Sequence, residues 1–133
     1  MTDGVLRVLV VAIVAVTALG AAWWANRHAA RRAERRPVDV SGFSGRVLLF
    51  TDEACPSCGA ARLALDRIGV DYVEISYAEH PEGLEAAGVE SVPLLVVRAA
   101  DGEEAGRIAG RPGRLRLRRL LARAGVARSD HGK

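Results

Sequence analysis

Residues 8–25 form a run of eighteen positions without a charge, and that run limits what the chain can become. It is apolar on every face, so it lacks the polar stripe of a helix packed on a soluble core. At 1.5 Å of rise per residue, such a helix just spans a hydrocarbon layer of about 30 Å. Val5 and Leu6 extend it past Arg7, whose stem is long enough to carry its charge to an interface. Trp23 and Trp24 sit at one end, where aromatic belts lie. These features predict one transmembrane helix over residues 5–25. A cleaved signal peptide is the rival reading, because Ala18-Leu19-Gly20-Ala21-Ala22 offers small residues suited to cleavage. The leading Met1-Thr2-Asp3-Gly4 is hardly basic, and the run exceeds a usual signal core, which favours an uncleaved anchor.

Charge is distributed unevenly about this run. Residues 1–36 carry six arginines against Asp3 and Glu34, a net of +4, whereas residues 37–133 carry a net of −1. The basic character belongs to the N-terminal part and gives no argument for a nucleic-acid partner. Arg27, Arg31, Arg32, Arg35 and Arg36 follow the span, and only Arg7 precedes it. Positive-inside bias therefore predicts a single-pass protein of the cell membrane with its C-terminal side in the cytoplasm. An extracytoplasmic domain is the alternative. Residues 26–34 continue as a polar helix, a stop-transfer flank within reach of anionic headgroups. Pro37 ends that helix, and residues 37–45, with Ser41-Gly42-Phe43-Ser44-Gly45, read as a linker. The organisation expected is an anchor at 5–25, a basic juxtamembrane segment and linker at 26–44, a globular domain at 45–126 and a flexible tail at 127–133, frayed from Ser129.

Within the domain, apolar residues 47–50 predict a short buried strand. Residues 60–68 then read as a helix closed by Gly69, with Ala61, Leu65 and Ile68 inward and Arg62, Asp66 and Arg67 outward. Residues 70–76 alternate, Tyr72 and Glu74 on one face and Val73 and Ile75 on the other. One helix separates this strand from the first, so the two pair in parallel. A poorer helix at 79–87 is weakened by Gly83 and ended by Gly88. A third strand occupies 93–98, and Asp101-Gly102 turns the chain into an antiparallel fourth strand at 105–109. Residues 110–113 break it. The last helix, 114–124, has Leu117, Leu120, Leu121 and Ala124 on its apolar stripe and Gly125 at its end. Its arginines at 114, 116, 118, 119 and 123 read as a solvated outer face, and His80 as a surface residue.

Cys55 and Cys58 are the only cysteines, and they lie where the first strand hands over to the first helix. A helix start leaves N–H groups without intrahelical partners and carries the positive end of the dipole. Cys55 at the cap would face the N–H groups of Ser57 and Cys58, with Pro56 at the first helical position, where its missing N–H costs nothing. That setting lowers a thiol's pKa and makes Cys55 the nucleophile. Cys58, one turn inward, can then resolve a mixed disulfide formed at Cys55. A zinc site needs four ligands, and His28, His80 and His131 are not paired at ligand spacing, so no metal is expected. A structural disulfide would close too short a ring to constrain the unfolded chain much.

The order β-α-β-α-β-β-α with Cys55-Pro56-Ser57-Cys58 at the first strand-to-helix junction resembles the thioredoxin/glutaredoxin-like superfamily, over residues 45–126. Gly88-Val89-Glu90-Ser91-Val92-Pro93 is similar to the segment before that family's cis-proline, and the Asp101-Gly102 hairpin followed by Gly106 and Gly110 adds a weaker match. The resemblance implies a three-layer α/β/α fold with a four-stranded mixed sheet. It implies a cis bond at Val92–Pro93 beside Cys55, with Val92, Pro93, Pro56 and Ser57 touching an extended substrate. It implies thiol–disulfide oxidoreductase activity on protein or small-thiol disulfides, with no cofactor beyond the Cys55/Cys58 pair. Where many thioredoxins carry Trp before the first cysteine, Gly-Pro between the pair and a buried acid six residues earlier, this chain has Ala54, Pro56-Ser57 and Leu49. Two other readings stay open. A soft-metal module of βαββαβ order also places Cys-x-x-Cys after its first strand and binds Cu(I) through thiolates. An adaptor would keep the fold for protein binding and use the disulfide structurally.

Overall fold

Every residue of Val47–Thr51 is buried, which is why this short apolar run becomes an inner strand, β1, covered on both faces. The computed structural model describes residues 2–128, which divide into two compact units between Arg32 and Ala33. The tail expected from Ser129 lies outside the described residues.

The first unit is formed by helix α1 (Thr2–Arg35) up to Arg32. It contains an eighteen-residue window of mean hydropathy 2.5, none of it buried, and is long and apolar enough to cross a membrane. As expected, the apolar run and the basic stretch share one helix, which stops short of Pro37. Near its polar end the Arg27 guanidinium lies 5.1 Å from the centre of the Trp23 ring.

The second unit continues from β1 through α2 (Cys58–Ile68), β2 (Val73–Ser76), α3 (Pro81–Ala87), β3 (Leu94–Arg98), β4 (Glu104–Ala109) and α4 (Arg114–Ala124). The strands lie in the order β2-β1-β3-β4. β1 runs parallel to β2, with Phe50 opposite Ile75, and antiparallel to β3, with Phe50 opposite Leu94. β3 and β4 form the antiparallel hairpin that Asp101-Gly102 predicts. This order is not the βαββαβ order on which the metal-handling alternative rests.

Alternation of side chains across the sheet builds two cores. Val47, Leu49, Leu95, Val97 and Ile108 pack with Ala61, Leu65 and Ile68 of α2 and with the Leu117, Leu120, Leu121 and Ala124 stripe of α4. Leu48, Phe50, Ile75, Leu94 and Val96 are buried on the other face, as are Leu84 and Ala87 of α3. There the Phe43 ring meets Phe50 edge-on at 5.4 Å, and Gly83 of α3 lies against Phe43. The result is the three-layer thioredoxin-like fold. Gly69, Gly88 and Gly125 close α2, α3 and α4 with left-handed backbone, as the sequence predicts.

Two differences from the sequence reading have physical causes. The second strand starts at Val73 rather than at 70, because Val70 and Tyr72 are drawn into the core under α2 and α4. Val73 itself is exposed, since β2 is an edge strand. The stretch read as a linker is also packed: Val40 is buried, the Asp39 N–H donates to the Ala87 carbonyl at 2.9 Å, and Arg98 donates to the Phe43 carbonyl at 2.7 Å. Its glycines and serines signal a turn, but Val40 and Phe43 carry enough apolar surface to hold it on the sheet.

One polar contact ties β1, β2 and α2 together. Thr51 is the one buried polar residue among those described, and its hydroxyl donates to Glu74 Oε1 at 2.8 Å. Arg62 Nε donates to the same oxygen at 2.8 Å. The Arg62 bond, helped by Thr51 and opposed by burial, holds the Glu74 carboxyl below its ordinary pKa. A carboxyl depressed in this way stabilises the fold above its unfolded pKa, and that contribution is lost as pH falls through its folded pKa. The denaturant midpoint of the full chain in detergent should therefore drop on acidification from about pH 6 to about pH 3. Glu74→Gln should lower the midpoint near neutrality and flatten that acid limb; an unchanged limb would show that the pair contributes nothing.

Candidate functional site

β1 ends at Thr51, and two successive turns carry the chain from its C-terminal end into α2. The Cys55 N–H donates to the Asp52 carbonyl at 3.2 Å, and the Cys58 N–H donates to the Cys55 carbonyl at 3.3 Å. The second turn corrects the expected cap. Ser57, not Cys55, is the residue preceding the helix, and Cys58, not Pro56, is its first residue. The reason is local: the Cys58 N–H is already engaged by the Cys55 carbonyl and is not offered to a sulfur. The N–H groups that open α2 without intrahelical partners are those of Gly59 and Ala60. The positive end of the helix dipole still lies at the cysteine pair.

Cys55 and Cys58 are joined as a disulfide, their Cα atoms 5.5 Å apart, within the usual range for such a bond. Their surroundings differ. Cys58 is fully buried, whereas Cys55 is half-buried and Pro56 and Ser57 are exposed. Cys55 and the Pro56-Ser57 turn are thus the parts of the motif open to solvent. Leu49, at the position where many thioredoxins carry a buried acid, is itself buried in the α2/α4 core. Among the described residues, no group of three or more His, Cys, Asp or Glu side chains gathers to hold a metal ion.

The Val92–Pro93 bond is cis. Strand register brings it to the cysteines: with Phe50 opposite Leu94, Pro93 stands at the Thr51 end of β1, from which the Cys55 loop departs. The Pro93 carbonyl accepts from the Gly110 N–H at 2.8 Å. Val92 is half-buried and lies outside the ladder, and among the described residues no hydrogen bond reaches its N–H or carbonyl. Cys55, Pro56, Ser57, Val92 and Pro93 thus gather at one end of two neighbouring strands, with Cys58 beneath. The Asp101-Gly102 turn lies at the opposite end of the sheet and forms no part of this group.

Two residues at this end make contacts that the sequence does not show. Gly110 appears there as a breaker and as part of the hairpin match, and its N–H donates to the Pro93 carbonyl, while its positive φ of 75° directs the chain from β4 toward α4. Tyr77 is exposed beside the β1 terminus, and its N–H donates to the Thr51 carbonyl at 2.8 Å. Its hydroxyl donates to Glu85 at 2.5 Å, and that carboxylate raises the phenol's pKa. A lone Tyr after a strand gives no signal of this placement.

The glutaredoxin family model matches residues 47–100. The thioredoxin of Fasciola hepatica is similar in structure, with a TM-score of 0.51 and 20% identity, over 59% of this chain and 78% of that one. A malarial protein is similar with a TM-score of 0.53 and 15% identity, over 60% of this chain and 96% of that one. At these identities the likeness is one of fold. No curated protein sequence matches the chain.

The difference in exposure makes a direct prediction. After reduction, brief iodoacetamide treatment followed by peptide mass spectrometry should find Cys55 alkylated and Cys58 protected. Faster labelling of Cys58 would reverse the assignment of the two thiols.

Proposed function

We propose that this chain, with its thioredoxin-like fold and its match to the glutaredoxin family model over residues 47–100, is a membrane-anchored thiol–disulfide oxidoreductase. The observation that carries this reading is the pairing of a half-buried Cys55 with a buried Cys58 at the start of α2. In the forward cycle the Cys55 thiolate attacks a substrate disulfide, forming a mixed disulfide and expelling one substrate thiolate, which takes a proton from solvent. Cys58 then loses its proton and attacks the Cys55 sulfur. The second substrate thiolate leaves, and the Cys55–Cys58 disulfide remains, so two electrons have passed to the substrate. A dithiol reductant must restore the pair. The same steps in reverse oxidise a dithiol.

The substrate is a disulfide-bearing protein or a low-molecular-weight thiol. Support for an extended protein segment comes from Val92, whose N–H and carbonyl have no partner among the described residues. Such a segment can pair with that backbone in the manner of an added strand, against Pro93 and the Pro56-Ser57 turn. Residues 5–25 serve as an uncleaved anchor, and a basic stretch from residue 26 leads into the globular unit that begins at Ala33. Five arginines after the span against one before it support a cytoplasmic domain, where the pair would act as a reductant.

The full chain in detergent should reduce insulin disulfides with dithiothreitol as donor. Cys55→Ser should abolish the activity, and Cys58→Ser, reduced and then freed of dithiothreitol, should accumulate a mixed disulfide with insulin at Cys55. Wild-type activity no higher than that of Cys55→Ser would remove the enzymatic reading. Alkaline phosphatase fused after Lys133 in a bacterial host should stay inactive, since that enzyme matures only after export; strong activity would place the domain outside.

A further inference from the structure

Glu34 is the one acid in Arg31-Arg32-Ala33-Glu34-Arg35-Arg36, and its side chain is only 15% exposed. Oε1 accepts from the Ala109 N–H at 3.0 Å and from Arg116 Nη1 at 2.8 Å. Oε2 accepts from Arg116 Nη2 at 2.7 Å. This is a two-pronged arginine–carboxylate pair with a backbone donor added, a stronger arrangement than a solvent-exposed ion pair. Ala109 is followed by Gly110, whose N–H holds the Pro93 carbonyl.

The residues after Glu34 reach the other side of the same loop. The Arg36 guanidinium pairs with Glu90, and the Arg36 carbonyl accepts from Arg107. The Pro37 carbonyl lies against Gly88, and the Asp39 N–H donates to the Ala87 carbonyl at 2.9 Å. Residues 87–90 lead directly into Val92–Pro93. Residues 34–39 therefore touch the chain that enters this loop and, through Ala109, the chain that fixes its carbonyl. Among the described residues, no hydrogen bond or ion pair joins residues 34–39 to the cysteine turn at 52–58.

We propose that residues 34–39 form a strap that fixes the Val92–Pro93 loop for substrate, with Glu34 as its positioning residue. The role in substrate binding rests on the oxidoreductase reading; the fixing of the loop does not. Glu34 acts through Ala109 and Gly110 and touches neither sulfur, so its loss affects how substrate is held and leaves the dithiol chemistry intact. A change confined to binding appears in KM, and one confined to chemistry in kcat.

The test compares wild type, Glu34→Ala and Glu34→Gln as full chains in detergent. Hydrogen–deuterium exchange should quicken about tenfold at the amides of 88–92 and 110 in Glu34→Ala, with β1 and α2 unchanged, and Glu34→Gln should fall between. With insulin as substrate, KM should rise about tenfold while kcat stays within about twofold. The pH profile of Cys55 alkylation should not move. Exchange that is unchanged around the loop, or that quickens equally through β1 and α2, would overturn the strap. So would a loss confined to kcat. If wild type reduces no disulfide at all, the enzymatic reading fails, and the exchange comparison still decides whether the strap holds the loop.

Discussion

The pairing of β1 with β3, Phe50 opposite Leu94, is the interaction on which the rest of the domain depends. It brings together two short segments nearly forty residues apart in sequence, the cysteine turn and Val92–Pro93, at one end of the sheet. A slip of β1 by one residue would send Leu49 to the face of α3 and Phe50 to that of α2, putting each in the wrong core. Both faces are filled by side chains of definite shape, so the register is held by packing on two sides. Edge strands take the remaining positions: β2 with an exposed Val73, and β4 with an end N–H, that of Ala109, satisfied by the Glu34 carboxylate. Covering an edge donor in this way also blunts a sheet edge that would otherwise invite pairing with another chain.

The cysteine pair sits across a sharp boundary in polarity. Cys58 is fully buried, Cys55 is half-buried, and Pro56 and Ser57 between them are exposed. Burial closes Cys58 off from a partner, while Cys55 stays open to one. The order of attack in the proposed cycle follows from this contrast without a dedicated acid. Leucine stands at position 49, where many thioredoxins have a carboxyl. In the proposed cycle the Cys58 proton leaves by way of solvent entering the turn.

Much of this arrangement was legible in the sequence, and the reasons differ by element. Residues 47–50 declare a buried strand because four large apolar residues in a row suit only a position covered on both sides. The stripe of α4 declares its inner face through 3.6-residue spacing, and glycines mark three helix ends. The cysteine pair is visible because its chemistry and its place at a strand-to-helix junction coincide. What the sequence did not show is contact over long separation. Nothing local says that Gly110 bonds Pro93, that Tyr77 stands by the β1 terminus, or that α2 begins at Cys58 because one N–H is already engaged. The 37–45 stretch misleads for a related reason: its composition reports backbone freedom, while Val40 and Phe43 decide where that backbone rests.

Glu34 shows how one residue can carry two readings that only coordinates separate. In an arginine-rich flank after an apolar helix, orientation depends on the excess of positive charge, and acids contribute little to that bias. Topology therefore gives no reason for a carboxylate at position 34. A solvated helix surface gives only a weak one, since i,i+4 pairing with a basic neighbour is worth a few tenths of a kcal/mol, roughly 0.2–0.5. The side chain instead turns onto Arg116, eighty-two residues away, and onto a backbone donor at the end of β4. Arg116 belongs to the row of arginines that reads as a solvated face, and for its neighbours that reading stands. One pair drawn from two apparently featureless charge runs joins the start of the globular unit to the strand whose next residue steadies Pro93. Charge runs are opaque to periodicity and composition because every member looks alike; the member that matters is the one whose partner lies far along the chain.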